Sequence, residues 1–139
     1  MPAIRLLNAA DLPAAYPVMA QLRPHLSQDQ FITQCAIQFA EGYLLAGLER
    51  DGELRALAGF RIHHKLVKGK TLYVDDLVTD SDSRSAGHGA ALVAWLQAYG
   101  RQQGCTLLSL DSGVQRFAAH RFYLRERFDI SCHHFTQDL

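Results

Sequence analysis

The beginning of the chain combines a short extended segment with two segments of helical spacing. The apolar stretch 3–7 predicts a strand, and the apolar residues that follow predict a helix over about 12–22. Phe31, Cys35 and Phe39 lie at i, i+4 and i+8, so they share one face of a second helix. The chain is therefore expected to open with a strand and two helices.

The middle of the chain carries three extended apolar segments. Strands are predicted over 43–48, 54–66 and 72–78. Asp51-Gly52, between the first two segments, is a strong hairpin signal. Together they predict an antiparallel meander.

Helices and strands alternate in the last part of the chain. A polar segment, 80–85, leads into a helix whose apolar face spans 92–99, and a strand follows at 106–110. A further helix is predicted over 117–124 and a last strand over 128–135. A strand, a helix and a strand in this order suggest a parallel crossover. The expected fold class is α/β (α+β), with a mixed sheet that has helices on both faces.

Length and composition describe one ordinary globular domain. The chain has 139 residues, 48% of them hydrophobic and 20% charged, so a single domain over 1–139 is expected. Basic and acidic residues both number 14, and a net charge of zero argues against a nucleic-acid partner. No apolar segment is long enough to cross a membrane, and no signal peptide is recognisable. Cys35, Cys105 and Cys132 predict no disulfide framework, which favours a cytoplasmic location.

The loop before the third predicted helix is the clearest candidate site. Its two glycines, Gly87 and Gly89, let backbone N–H groups approach a ligand closely. At a helix N-terminus such groups have no internal partner and favour an anion, best a phosphate or pyrophosphate. His88, between the glycines, is expected to face outward. The candidate anion-binding residues are Arg84, Ser85, Ala86, Gly87, His88, Gly89 and Ala90.

Other binding chemistries fit the sequence less well. A dinucleotide fingerprint needs a third glycine, and a P-loop needs a glycine where His64 stands. The pairs His63-His64 and His133-His134 suggest a metal, but neighbouring strand residues face opposite sides and neither pair can chelate. No metal site is therefore expected.

Two motifs resemble those of the GNAT superfamily of N-acetyltransferases. Arg84-x-x-Gly87-x-Gly89, after an apolar strand, is similar to the family's acyl-CoA pyrophosphate motif. The segment 119–128, Ala-His-Arg-Phe-Tyr-Leu-Arg-Glu-Arg-Phe, is similar to the family's Ala-x-x-Phe-Tyr-x-x-x-Gly-Phe. Arg127 replaces the glycine of that pattern, which predicts a different turn into the last strand.

The resemblance implies the acyl-CoA N-acyltransferase fold, with acetyl-CoA or coenzyme A as co-substrate. In that fold a mixed, mostly antiparallel central sheet splays open between two parallel strands. The pantetheine arm would enter there and pair with backbone groups of Leu77, Val78 and Thr79, while the 84–90 loop would hold the pyrophosphate. Arg116 stands where many members carry an Asn that contacts the pantetheine arm.

The resemblance also implies catalytic roles. Tyr123 is the expected general acid toward the leaving sulfur. Asp75 and Asp76 lie where many members carry an acidic residue that accepts the amine proton through water or orients the ammonium group. Because consecutive strand residues face opposite sides, only one of the two is expected to point into the site. A backbone N–H near Val78 or Thr79 is the expected oxyanion donor.

The leading functional hypothesis is an N-acetyltransferase that moves an acetyl or other acyl group from acetyl-CoA to a primary amine by direct attack in a ternary complex. The acceptor is a small-molecule amine or a peptide or protein amine, bound near residues 22–38 and the 66–70 hairpin. The alternative is a non-catalytic acyl-CoA-binding or sensor domain with the same fold. A homodimer through the apolar last strand, 130–135, is also possible.

Overall fold

The computed structural model describes residues 2–84 and 86–139 of the chain. They form two compact units, Met1–Ser109 and Leu110–Leu139. The single domain expected over 1–139 stays a prediction.

The first unit is built on a five-stranded mixed sheet in the order β1-β2-β3-β4-β5. Its pairs β1–β2, β2–β3 and β3–β4 are antiparallel, which confirms the predicted meander. The elements are β1 Ala3–Leu6, α1 Leu12–Leu22, α2 Gln28–Ala40, β2 Leu44–Arg50, β3 Glu53–Lys65, β4 Gly69–Thr79, α3 His88–Gln102 and β5 Leu107–Leu110.

Helices cover both faces of this sheet, as the fold class predicted. Leu57 of β3 belongs to a buried cluster with residues of α1 and α2. Phe60, three residues further along β3, points to the opposite face and packs edge-on against Trp95 and Tyr99 of α3. The strand alternates because successive side chains leave a sheet on opposite sides.

Local sequence signals explain where several elements begin and turn. Asp51 and Gly52 both adopt left-handed backbone, with φ of 56° and 77°, so the predicted hairpin is confirmed. The Ser27 hydroxyl accepts the Gln30 N–H at 3.1 Å, and the Gln30 side chain accepts the Ser27 N–H at 2.9 Å. This reciprocal cap satisfies N–H groups that the first turn of α2 cannot bond internally.

The second unit begins with Leu110, the last residue of β5, and contains one helix, α4 Phe117–Arg125; no strand lies within its described residues 111–139. The strand predicted over 128–135 is therefore wrong. Apolar alternation favours an extended segment, but a strand also needs a neighbouring strand to bond with. Arg127 takes φ of 69°, a left-handed conformation that glycine adopts without strain, and the different turn expected from its replacement of glycine stays a prediction. None of the helices in residues 2–84 and 86–139 is long and apolar enough to cross a membrane.

Candidate functional site

The N-terminus of α3 offers backbone donors to a ligand. Gly87 has φ of 80°, and a Cβ added there would meet no atom within 4 Å. Gly87 supplies no side-chain cap, and the helical bond from the Ala91 N–H ends on the Gly87 carbonyl at 3.0 Å. The N–H groups of His88, Gly89 and Ala90 precede that bond, so they have no partner inside the helix. The loop thus has the open, donor-lined shape that an anion requires.

The remaining loop residues differ in exposure. Arg84 and Ala86 are exposed, and Ser85 lies outside the described residues. His88 is only 3% exposed, so the expectation that it faces outward is wrong. It lies one and two turns before Leu92 and Leu96, which are buried, so helical spacing places it on the same face. Within the described part of the chain, its ring nitrogens have no hydrogen-bond partner.

The last residues of β4 lie beyond the end of β5. The strand β5 has four residues and β4 has eleven. The Thr106 N–H, just before β5, donates to the carbonyl of Lys70 near the start of β4 at 2.8 Å. The strand β5 begins one residue after Thr106, and its four residues are too few to reach the level of Leu77, Val78 and Thr79. The sheet therefore offers this edge at the position where the pantetheine arm is expected.

A β-bulge brings both candidate carboxylates to one face of the sheet. Gly59 pairs with Asp76, but the next residue, Phe60, pairs with Val74, so Asp75 is an extra residue in β4. The bulge interrupts the alternation of side chains. Of the two carboxylates, Asp76 is among the described residues that line the neighbouring pocket and Asp75 is not, and the expectation that only one of them points into the site stays a prediction.

Both carboxylates belong to one polar network with Tyr43. The Tyr43 hydroxyl donates to Asp76 Oδ2 at 2.7 Å, and Arg23 Nε donates to Asp76 Oδ1 at 3.0 Å. Arg61 Nε donates to Asp75 Oδ2 at 2.8 Å, and its guanidinium lies 5.6 Å from the centre of the Tyr43 ring. Sequence reasoning missed the tyrosine and both arginines, because no local motif links residues that come from separate elements.

The buried tyrosine keeps its hydroxyl as a hydrogen-bond donor. Burial, and then the charge of Asp76, raise the pKa of Tyr43 well above its usual value. A Cβ added at Gly59 would lie 1.6 Å from the Tyr43 hydroxyl oxygen, so the glycine provides the space for this ring. The network is thus held by close packing as well as by charge.

A pocket of about 730 Å³ opens above this network, between α1, α2 and β4. Asp76 and Tyr43 contribute to its wall, and Met19, Phe31 and Cys35 line an apolar part. Burial, followed by the charge of Asp76, raises the pKa of the Cys35 thiol to about 11. The thiol therefore stays protonated near neutral pH and is a poor nucleophile.

The pocket overlaps one of the two segments, 22–38, near which the acceptor is expected. Apart from Tyr43 and Asp76, its lining residues fall between Met19 and Gln38, and none of those described belongs to the 66–70 hairpin.

In the second unit, Tyr123 lies on α4 between two aromatic rings. Its ring contacts Phe122 and Phe128 edge-on, with centroids 5.5 and 5.7 Å away. Burial raises the pKa of Tyr123, while the positive charge of Arg116 acts against that rise. The hydroxyl is therefore protonated at neutral pH, as a proton donor must be. Arg116 lies directly before the first residue of α4.

The described residues contain no cluster of side chains that could ligate a metal ion. No group of three or more His, Cys, Asp or Glu side chains within 2–84 and 86–139 could hold a metal ion. The expectation that the protein uses no metal stays a prediction.

Comparisons with known proteins agree with this architecture. A sequence model of the "Acetyltransferase (GNAT) family" matches residues 6–128. An uncharacterised N-acetyltransferase of Bacillus subtilis, YhdJ, is 34% identical over 120 residues, covering 86% of this chain and 84% of that protein. An aminoglycoside N(6′)-acetyltransferase type 1 of Stenotrophomonas maltophilia is 33% identical over 132 residues, covering 86% and 83% of the two chains.

Solved structures share the fold. AAC(6′)-Iy in complex with the bisubstrate analogue CoA-S-monomethyl-acetylneamine superposes with a TM-score of 0.88 over 100% of this chain and 98% of that chain, at 18% identity. At 18% identity, this likeness shows the fold alone. The family model and the Bacillus relative, in contrast, match most of the sequence. The resemblance seen in the two motifs is thereby confirmed. The chain belongs to the GNAT family and is an acetyl-CoA-dependent N-acetyltransferase.

Proposed function

We propose that a small primary amine binds in the pocket between α1 and α2 and directly attacks the thioester of acetyl-CoA in a ternary complex. One observation carries this proposal. The strand β4 turns Asp76 toward the pocket, and its next residues, 77–79, form the edge that lies beyond β5. Adjacent residues of one strand would thus contact the acceptor and the pantetheine arm, which brings the two reactants together.

Acetyl-CoA would be held by backbone groups more than by side chains. The N–H groups at the start of α3 would bind the pyrophosphate, with the charge of Arg84 from the same loop. Leu77, Val78 and Thr79 would pair with the amides of the pantetheine arm. The resemblance adds Arg116 as a further contact to that arm.

The reaction would proceed by one displacement at the acetyl carbonyl carbon. A water next to Asp75 or Asp76 takes a proton from the ammonium group, and the amine nitrogen then forms the C–N bond. An N–H near Val78 or Thr79 stabilises the oxyanion while the C–S bond breaks. Tyr123 gives its proton to the sulfur and regains one from the attacking nitrogen. The products are an N-acetyl amide, coenzyme A as free thiol and one released proton.

Initial-rate kinetics would test this order of events. Thiol release is measured while both acetyl-CoA and a primary amine are varied, and a ternary complex predicts intersecting double-reciprocal lines. Parallel lines, together with an acetylated enzyme isolated without acceptor, would contradict direct attack. Coenzyme A binding without thiol release from any amine would instead favour the non-catalytic reading.

A matched pair of Asp→Asn variants would test the carboxylate. Asp76→Asn should lower kcat/KM for the amine by about 10²-fold or more, because the group that receives the proton is lost. Coenzyme A binding should stay unchanged. Asp51→Asn serves as the control, since Asp51 lies exposed in the β2–β3 hairpin and Asn tolerates its left-handed backbone. Equal activity in the two variants would remove Asp76 from the mechanism.

We also propose that the protein forms a homodimer through its C-terminal segment and works in the cytoplasm. Ile130 and Phe135 are 80% and 90% exposed, and a second copy would give this apolar segment a partner. The three cysteines are free thiols, which fits a reducing compartment. Sedimentation at micromolar concentration should show a dimer that dissociates in Phe135→Asp. A parent protein that sediments as a monomer would contradict the dimer.

A further inference from the structure

One wall of the acceptor pocket is a row of amide side chains on α2. Gln30, Gln34 and Gln38 lie at i, i+4 and i+8 and all line the pocket. Such residues share one helix face and follow one another at about 6 Å along the axis. Gln34 Nε2 donates to Gln38 Oε1 at 3.3 Å, and Gln30 Oε1 accepts the Ser27 N–H at 2.9 Å. These bonds orient the row and leave the opposite amide atoms, Gln34 Oε1, Gln38 Nε2 and Gln30 Nε2, for a ligand.

The charges of the pocket limit the charge of the acceptor. Arg23 also lines the pocket and forms an ion pair with Asp76 at 2.9 Å. Arg61, whose guanidinium lies over the Tyr43 ring, forms an ion pair with Asp75 at 2.8 Å. An anionic acceptor would have to take one of these arginines from its carboxylate. Among the described lining residues, the other carboxylate is Asp29. This set of charges suits an acceptor with one ammonium group better than a polycation.

The pocket also combines polar and apolar surfaces. A glutamine amide has both donors and acceptors, as a hydroxyl group has. Met19, Leu26 and Phe31 line the pocket as well and offer apolar surface to C–H groups. A ring with hydroxyl groups at its edge and C–H groups on its face would satisfy both surfaces at once.

We infer that the pocket selects a hydroxylated cyclic amine that carries a single ammonium group, with its hydroxyls bonded to the glutamine row. This inference rests on the proposed function, since it names the acceptor for that site. The glutamine row is then a specificity determinant, and the apolar surface holds the ring.

A panel of five amines would test the class of acceptor. Glucosamine is the hydroxylated ring with one ammonium, and cyclohexylamine is the matching ring without hydroxyls. Spermidine represents a polycation, 2-aminoethylphosphonate an anionic amine and triglycine amide a peptide N-terminus. Thiol release with saturating acetyl-CoA gives kcat/KM for each amine. Glucosamine is expected to have the highest value; a higher value for spermidine, 2-aminoethylphosphonate or triglycine amide would overturn the inference.

Variants of the row separate recognition from the intrinsic reactivity of each amine. Gln34→Leu and Gln38→Leu should each lower kcat/KM for glucosamine by about 3- to 10-fold, the worth of one hydrogen bond. The value for cyclohexylamine should not fall. Gln102→Leu is the matched control, because Gln102 lies exposed near the end of α3 and does not line the pocket. An equal change for both amines would overturn the inference, since a loss of hydroxyl recognition affects only glucosamine.

Binding without acetyl-CoA separates failure of this inference from failure of the proposed function. Saturation-transfer NMR should show glucosamine bound to the parent protein and to Gln102→Leu, with a weaker signal in Gln34→Leu. If no amine is acetylated while this binding pattern holds, acetyl transfer to a small amine fails and the pocket assignment stands. If glucosamine gives no signal, or the same signal in every variant, the pocket assignment is wrong.

Discussion

Gly59→Ala should destabilise the protein strongly, because the space beside this residue is already occupied by Tyr43. A Cβ at position 59 would lie 1.6 Å from the Tyr43 hydroxyl oxygen and 2.4 Å from Cζ of the same ring. Tyr43 is only 3% exposed, so its ring has no room to move aside within the packed core. The ring must therefore leave its site or the two strands must separate.

The cost can be estimated from the contacts that would be lost. Overpacking of a core costs about 1–3 kcal/mol. Breaking the 2.7 Å hydrogen bond from Tyr43 to the Asp76 carboxylate adds about 1.5–3 kcal/mol. We therefore expect the free energy of unfolding to fall by about 3 kcal/mol or more, which for a chain of this size lowers Tm by about 10 °C.

Thermal and urea unfolding of the four proteins of a double-mutant cycle, with one further control variant, would measure this effect. In a Tyr43→Ala background, Gly59→Ala should cost less than about 1 kcal/mol, so the double-mutant cycle should show a coupling of about 2 kcal/mol. Gly100→Ala is the matched control: a Cβ there would approach Leu72 no closer than 3.4 Å, and alanine favours a helix. The reasoning would be refuted if Gly59→Ala unfolded at the parent's midpoint, or if its cost were the same without the Tyr43 ring.

Three further predictions concern the glycine loop and the second unit. Gly89→Asp should weaken coenzyme A binding at least tenfold by calorimetry without changing Tm, because a carboxylate would stand where an anion is bound; parent-like affinity would argue against the loop as the pyrophosphate site. Tyr123→Phe should lower the single-turnover rate by about 10²–10⁴ with unchanged coenzyme A affinity, if its hydroxyl is the general acid; an unchanged rate would remove it from that role. Arg127→Gly should raise the free energy of unfolding by about 1 kcal/mol in urea titrations, because Arg127 has φ of 69° and glycine adopts left-handed backbone without strain; a loss of stability would contradict this.

Features that depend on neighbouring residues were predictable from the sequence. The Asp51-Gly52 turn, the two first helices, the meander and the helix after the glycine loop all lie where the pattern of residues placed them. Each of these depends on spacing or on backbone preferences within a few positions. The family resemblance rested on similarly local motifs, and it was confirmed by comparisons that cover most of the chain.

Other features depend on which residues the sheet brings opposite each other. Alternation along β4 predicted that Asp75 and Asp76 would face opposite sides, but the register against β3 inserts Asp75 as a bulge. Arg23 and Tyr43 lie 53 and 33 positions from Asp76, and no pattern in the sequence links them. The candidate acceptor site therefore became visible only when these elements packed together.

The sequence by itself determined the order of the elements, the turn at Asp51-Gly52, the glycine loop and the family. Only the tertiary structure decided that His88 is buried, that no strand forms over the described residues 128–135, and that a pocket opens over Asp76. Backbone preference and hydrophobic periodicity act over a few residues, so the sequence contains them directly. Burial, strand pairing and the shape of a cavity depend on partners distant in the chain, and those exist only after the elements have packed.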